Sequence, residues 1–169
     1  MSLAGLFANE RVELLDWTIV TMSAQRSPHV ATVHRLHRLL TRVLGDSLTV
    51  RLQAPIVLDD WSEPEPDVVV CAADPDDYAH EHPAATDVVL VCEVSLSSLA
   101  YDRSTKSLAY AANGIPEYWI VDVEARVIEV LADAEPATGR YRREQRFGEP
   151  TTVTPGGAPL AVADILPPR

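Results

Sequence analysis

Apolar residues recur along the chain with a helical period in two places. The first predicted helix starts with Ser27 as its N-cap, continues through Pro28 in the first turn and ends at Gly45. Its apolar positions, spaced three or four residues apart, are Val30, Val33, Leu36, Leu40 and Val43. The second predicted helix covers about 102–112 and ends at Asn113-Gly114, a pair typical of a left-handed helix cap.

Runs of β-branched and other apolar residues predict strands between these helices. Within residues 13–20, two short strands are expected around a turn at Asp16-Trp17, and residues 3–15 also show weakly helical or mixed character. Further strands are expected over 48–58, 68–71, 87–95, 117–123, 127–131 and 141–147, with a tail near 160–166. Because residues 87–95 are almost continuously apolar, that strand is expected at the centre of a sheet covered on both faces. The last three strands form a meander, and residues 72–86 form a surface loop.

Length and composition predict a single globular domain over residues 1–169 that is soluble and cytoplasmic. The chain has 169 residues, 47% of them hydrophobic and 23% charged. Its longest apolar stretches, such as Val88–Cys92, are far shorter than the ~18 residues of a membrane-spanning helix. Cys71 and Cys92 both lie in predicted strands, which favours core residues over a disulfide or a zinc site.

Charge is distributed unevenly along the chain. The net charge of -11 argues against tight, non-specific binding to nucleic acid, which depends on cationic side chains. Residues 52–102 contain twelve acidic residues and neither lysine nor arginine, so the rest of the chain carries a net charge of +1 (-11 minus -12). Most of these acids are expected on a solvated surface, and a few are candidates for binding a cation.

Two of these acids have unusual positions. Glu93 stands inside an apolar strand, where a carboxylate is costly unless it has a partner, lies at an exposed strand end or has a hydrogen-bonded structural role. Asp67 directly precedes the previous strand, so neighbouring strands could place both carboxylates at one end of the sheet. Mg²⁺ binds well to one or two carboxylates with backbone oxygen and water. A turn role for Asp67 is the alternative.

Both predicted helices carry charged residues at helical spacing. Asp102, Lys106 and Tyr110 are four residues apart, so they share a helix face; an ordinary surface ion pair is one interpretation, and a lysine beside metal-binding carboxylates is the other. On the first helix a basic stripe can serve as a solvent face, the favoured interpretation, or can contact phosphate. The stripe consists of Arg35, Arg38 and Arg42.

Together these residues resemble the Uma-type restriction endonuclease family of the PD-(D/E)xK nuclease superfamily. The specific part is the pattern Pro66-Asp67, Glu93-Val94-Ser95, Ser98, Asp102, Lys106, Tyr110 and Gly114-Ile115-Pro116-Glu117-Tyr118-Trp119-Ile120-Val121-Asp122. The opening Glu13-Leu14-Leu15-Asp16 and the segment around His29 are also similar to that family, so the resemblance covers nearly the whole chain.

The resemblance implies an α/β (α+β) restriction-endonuclease-like fold, with a mixed central sheet flanked by helices. It implies a Mg²⁺-dependent endonuclease, with Mn²⁺ as a substitute, that hydrolyses phosphodiesters of nucleic acid, DNA being the favoured substrate. Asp67 and Glu93 would hold the metal. Lys106 would replace the usual lysine two residues after the glutamate, where this chain has Ser95. Glu13 would be an accessory acid, and Ser95, Asp102 and Tyr110 further accessory residues.

Two departures from the family pattern affect loops: Trp17 replaces a turn glycine, and Leu96-Ser97-Ser98 replaces the usual Ser-Pro. An alternative function is a non-catalytic binding or assembly module that keeps the nuclease fold. A serine hydrolase is disfavoured because the five histidines show no triad spacing. A homodimer would supply two sites for cutting both strands of a duplex, and residues 115–123 could form either sheet core or an interface.

Overall fold

A mixed β-sheet organises residues 11–168, the part of the chain that this computed structural model describes. The elements, in chain order, are β1 (Val12–Leu15), β2 (Thr18–Thr21), α1 (Ser27–Leu44), β3 (Leu48–Leu52), β4 (Val68–Ala72), β5 (Val88–Ser95), a helix α2 over 99–112, β6 (Glu117–Asp122), β7 (Val127–Glu135), β8 (Arg140–Gly148), β9 (Thr152–Val153), β10 (Leu160–Ala161) and α3 (Val162–Ile165). The strand order in the central sheet is β3-β4-β5-β6-β7-β8.

Strand directions confirm the expected fold class. Strands β5 and β6 are parallel and are joined through α2, whereas every other neighbouring pair in this sheet is antiparallel. A parallel pair needs a crossover of this kind, and the helix supplies it. The predicted meander is β6-β7-β8, and β1 and β2 form a separate hairpin.

Strand β5 is covered on both faces, as its apolar sequence predicted. Alternate side chains point to opposite faces of a strand. Cys92 and Val94 pack in one core cluster with Leu36 of α1, whereas Val91 packs in a second cluster with Tyr110 of α2. Since Glu93 has the same parity as Val91, its side chain lies on the α2 side of the sheet.

The pairing of β4 with β5 brings the two predicted carboxylates together. These strands are antiparallel, with Val68 opposite Cys92. Asp67 therefore stands just before β4 at the level where Glu93 follows Cys92 on β5. The backbone N–H of Val94 donates a hydrogen bond of 2.9 Å to Asp67 Oδ2, which fixes this end of the sheet.

Several predicted boundaries were wrong. The strand expected over 48–58 ends at Leu52, because Gln53 has a left-handed φ of 44° and cannot continue the strand. Arg26, not Ser27, is the N-cap of α1, and its side chain makes no capping hydrogen bond. The second helix begins at Leu99 rather than Asp102. Of the prediction for residues 3–15, residues 3–10 lie outside the described part of the chain.

The turn between β1 and β2 takes the conformation that glycine normally supplies. Asp16 and Trp17 have φ values of 47° and 63°. Such values suit a tight hairpin turn but are costly for residues with a side chain. Trp17 is held there by its ring, which stacks on Trp61 with 3.3 Å between centroids, and by its N–H, which donates to the Trp61 carbonyl.

Helix α2 contains a wide turn at its centre. It consists of an α-helical turn at Leu99–Tyr101, a π-helical segment at Asp102–Lys106 and an α-helix at Ser107–Ala112. Single π turns inside α-helices often occur at functional sites. Both ends of this one are buried, whereas the residues between them are exposed. Within residues 11–168, no helix is sufficiently long and apolar to cross a membrane.

Replacing Gly114 by alanine should destabilise the protein by about 1 kcal/mol. Gly114 ends α2 with a φ of +74°, and an added Cβ would meet only Pro136 at 3.7 Å, so the cost is conformational. Urea denaturation measures it. Gly148→Ala is the matched control because an added Cβ there makes ordinary contacts of 3.9 Å. Equal midpoints for Gly114→Ala and wild type would show that the left-handed cap contributes nothing.

Candidate active site

A cavity of about 290 Å³ opens at the end of the sheet where Asp67 and Glu93 lie. Strand β1 contributes Glu13 and α2 contributes Lys106, so four separate elements or element ends bring charged groups to one place. All four side chains are buried, with between 5% and 7% of each residue exposed. Residues 20–26, from the end of β2 to the start of α1, and His29 also line the cavity.

Glu93 makes two hydrogen bonds to α2 at the base of the cavity. Its Oε1 accepts from Lys106 Nζ at 2.8 Å and from the Tyr110 hydroxyl at 2.8 Å. Burial raises the pKa of Glu93 to about 8, although Lys106 opposes this shift. The carboxyl group can therefore gain or lose a proton near neutral pH.

Lys106 is the only lysine in the chain, and it lies between two glutamates. Its Nζ is 2.8 Å from Glu93 Oε1 and 3.1 Å from Glu13 Oε2. Burial alone would lower the pKa of Lys106, but Glu93 and Glu13 raise it above its ordinary value. Lys106 is thus an ammonium ion at neutral pH. The sequence also allowed a surface ion pair between Asp102 and Lys106. In the structure Lys106 pairs with Glu93 and Glu13 instead.

Asp67 is fixed by partners from three directions. Besides the N–H of Val94, its Oδ2 contacts His29 Nε2 of α1 at 3.0 Å. Its Oδ1 accepts only a long hydrogen bond from Gln53, at 3.4 Å, among the described residues. The Oδ1 atom is therefore the oxygen of this carboxylate with the weaker hydrogen bonding.

Asp102 connects β5 to the start of α2. Its Oδ2 accepts short hydrogen bonds of 2.6 Å from the hydroxyls of both Ser95 and Ser98. Its backbone carbonyl accepts from the Tyr118 hydroxyl of β6 at 3.2 Å. Because this network spans two strands and the π segment, it fixes the helix that carries Lys106.

Comparison with known proteins gives a family for this architecture. Residues 3–163 match the family model described as "Uma2: Putative restriction endonuclease". The chain belongs to the Uma2 family. No curated protein matches the chain.

A solved structure has a similar fold. It is described as the crystal structure of a putative nuclease belonging to DUF820 from Anabaena variabilis ATCC 29413. The TM-score is 0.70 at 15% identity, and the match covers 91% of this chain and 88% of that one. At this identity the likeness establishes the restriction-endonuclease-like fold. Nucleases of this class typically use a divalent metal ion.

The structure collects most of the predicted site residues around the cavity and leaves one group outside. Glu13, Asp67, Glu93, Asp102 and Lys106 line it, and Ser95 and Tyr110 hydrogen-bond to residues that do. The basic stripe of α1, which is Arg35, Arg38 and Arg42, does not contribute to the lining formed by described residues.

The stripe's distance from the cavity follows from helix geometry. His29 lines the cavity at the start of α1, and Arg42 follows it by thirteen residues, or about 20 Å along the helix axis. Arg35 instead donates to the Asp164 carbonyl of α3. None of the acidic residues in 72–86 is among the described residues that line the cavity, so that loop does not obstruct it.

Sequence reasoning missed the contributions of His29 and Tyr101. Both line the cavity, yet neither occupies a position in the chain that singles it out as a ligand or a proton donor. The available signal for His29 was its place in the first turn of a helix that packs on β5. For Tyr101 it was the position next to Asp102, which the resemblance did identify.

The donor set fits a hard cation held by few protein ligands. Within residues 11–168, no group of three or more His, Cys, Asp or Glu residues surrounds a single point as a metal cage. Mg²⁺ does not need such a cage, since one or two carboxylates with water and backbone oxygen suffice. Asp67 and Glu93 are the two cavity carboxylates that could hold such an ion. Glu13 and Asp102 add negative charge nearby, while Lys106 is the sole buried basic residue of the described chain.

Replacing Lys106 by methionine should destabilise the protein by about 3–5 kcal/mol at pH 9, because buried carboxylates lose their cation. The loss should be smaller at pH 5. In the wild type, folding raises the pKa of Glu93 from 4.5 to about 8, so unfolding releases a proton and stability falls as pH rises through this window. Without Lys106 that pKa rises further, and the fall extends above pH 8.

Urea denaturation at both pH values measures this difference. Arg142→Met is the matched control, because it removes a cation from an exposed ion pair with Glu135. The control should change stability little at either pH. A pH-independent effect of Lys106→Met would contradict the buried ion pair with Glu93.

Proposed function

We propose that the protein is a metal-dependent endonuclease that hydrolyses phosphodiester bonds of nucleic acid, with DNA as substrate. The observation that carries this proposal is the meeting of Asp67, Glu93 and Lys106 in one cavity, with Lys106 Nζ 2.8 Å from Glu93 Oε1. Membership of the Uma2 family supports the nuclease class.

Asp67 and Glu93 would hold Mg²⁺, which Mn²⁺ can replace. When bound, the ion supplies a positive charge that lowers the pKa of water and neutralises charge on phosphate. Asp67 is oriented for this role by the Val94 N–H and by His29, and Glu93 by Tyr110. Deprotonation of Glu93 is required for binding, so rising pH through about 8 favours the metal-binding state.

Lys106 would act as a cation and not as a base. Its raised pKa keeps it protonated, and an ammonium group has three N–H donors. One donates to Glu93 Oε1, and Glu13 Oε2 lies 3.1 Å from the nitrogen. A remaining N–H can orient the attacking water or contact a phosphate oxygen, where charge develops during in-line displacement.

Glu13, Tyr110, Ser95 and Asp102 would position these groups. Glu13 contacts Lys106 and also accepts from the Glu65 backbone N–H at 3.3 Å. Asp102 and Ser95 fix the start of α2 relative to β5. The dimer and the phosphate contacts of Arg35, Arg38 and Arg42 stay predictions; sedimentation and charge-reversal variants test them.

Glu93→Gln and Asp67→Asn should each reduce metal-dependent cleavage by at least about 100-fold, because each removes one charged ligand without changing side-chain size. The assay uses plasmid and single-stranded DNA with Mg²⁺, with Mn²⁺ and with EDTA, and RNA in parallel.

Glu144→Gln on β8 is the matched control and should cleave like the wild type, since Glu144 is exposed and far along the sheet. Circular dichroism establishes that the variants are folded. Undiminished cleavage by Glu93→Gln or Asp67→Asn would refute the proposed metal site, and a wild type that cleaves no nucleic acid would refute the nuclease function.

A further inference from the structure

Buried polar atoms without partners are concentrated at the candidate active site. Within residues 11–168, three buried side-chain atoms have no hydrogen-bond partner: His29 Nδ1, Tyr101 Oη and Tyr141 Oη. His29 and Tyr101 both line the cavity that contains Asp67 and Glu93. Such atoms are rare in folded proteins because an unsatisfied buried group costs free energy. Two of them beside one cavity indicate that a polar ligand binds there.

Tyr101 occupies a specific place relative to the reacting groups. It is the last residue of the first turn of α2, directly before the π segment that carries Asp102 and Lys106. Its ring packs against the core cluster that contains Tyr110. Burial and then Glu13 raise the pKa of Tyr101, so its hydroxyl is protonated at neutral pH. The hydroxyl is therefore a hydrogen-bond donor beside the site's charges.

The two unpartnered atoms differ in what they can bind. His29 Nε2 contacts the Asp67 carboxylate, which can only accept, so Nε2 carries the proton. Its Nδ1 donates only when the ring carries a second proton there, so it is not a fixed donor for a phosphate oxygen. A tyrosine hydroxyl donates and does suit one, since anionic oxygens take the stronger hydrogen bonds.

We propose that the Tyr101 hydroxyl donates a hydrogen bond to a non-bridging oxygen of the phosphodiester bound in the cavity, next to Lys106. This inference rests on the proposed nuclease function and names a substrate-contacting residue for it. It explains why a donor is kept buried and unpartnered in the free protein: substrate supplies the acceptor.

Tyr101→Phe tests the inference, because it removes the hydroxyl and keeps the ring. One hydrogen bond to a charged group corresponds to a change of about 10- to 100-fold, so kcat/KM for DNA cleavage should fall by that factor. The unfolding temperature of the variant should not fall, since no internal hydrogen bond is lost. A structural hydroxyl would behave in the opposite way.

Tyr141→Phe is the matched control. Tyr141 is also a tyrosine with a buried, unpartnered hydroxyl, but it stacks on Tyr118 and is not among the described residues of the cavity lining. This variant should match Tyr101→Phe in its effect on the unfolding temperature and match the wild type in kcat/KM. The two tyrosines differ in whether they line the cavity, so a difference in kcat/KM between the two variants reports on that position.

Each outcome decides between the hypotheses. Loss of kcat/KM confined to Tyr101→Phe supports the inference. Equal kcat/KM in Tyr101→Phe and wild type overturns the inference and leaves the nuclease function intact. The inference is also overturned if Tyr101→Phe and Tyr141→Phe lose kcat/KM equally. It is overturned as well if Tyr101→Phe alone has a lower unfolding temperature. Absence of cleavage by the wild type identifies failure of the proposed function, and the inference falls with it.

Discussion

The buried contact between Lys106 Nζ and Glu93 Oε1, which becomes an ion pair when Glu93 loses its proton, is the interaction on which the site depends. Four buried carboxylates, those of Glu13, Asp67, Glu93 and Asp102, lie around one cavity, and Lys106 is the buried cation that compensates them. Burying such charges is unfavourable without a partner. Under the proposed function, the excess of carboxylates over one ammonium would favour a cation in the cavity, and the ammonium would allow one anionic group, a phosphate, to bind.

Fold and site are linked because the groups come from different elements. Antiparallel pairing of β4 with β5 sets Asp67 beside Glu93, and the parallel crossover from β5 to β6 returns α2 over the same face. The two ends of the π segment, Asp102 and Lys106, are both buried because they are four residues apart and share a helix face, whereas the residues between them are exposed. A shift of one residue in either pairing would separate the carboxylates from the lysine.

Sequence patterns predicted the parts of the structure that depend on local periodicity or on the resemblance. The apolar run of β5 predicted a doubly covered strand, and the cost of a carboxylate within it singled out Glu93. What stayed hidden depends on long-range packing. Lys106 pairs with Glu93 and Glu13 rather than Asp102, and His29 reaches Asp67 across 38 positions of sequence. The turn at Trp17 needs Trp61 as a partner, and the positive φ of Gln53 follows from no apolar pattern.

Calorimetric titration of Mn²⁺ into the wild type and Glu93→Gln at two pH values tests the central claim most directly, because it does not depend on finding the substrate. The wild type should bind Mn²⁺ more strongly at pH 8.5 than at pH 6, since Glu93, with a pKa of about 8, must lose its proton. Glu93→Gln should lose this binding. Equal binding by both proteins, or none by the wild type at millimolar Mn²⁺ at either pH, would contradict a metal site at Asp67 and Glu93.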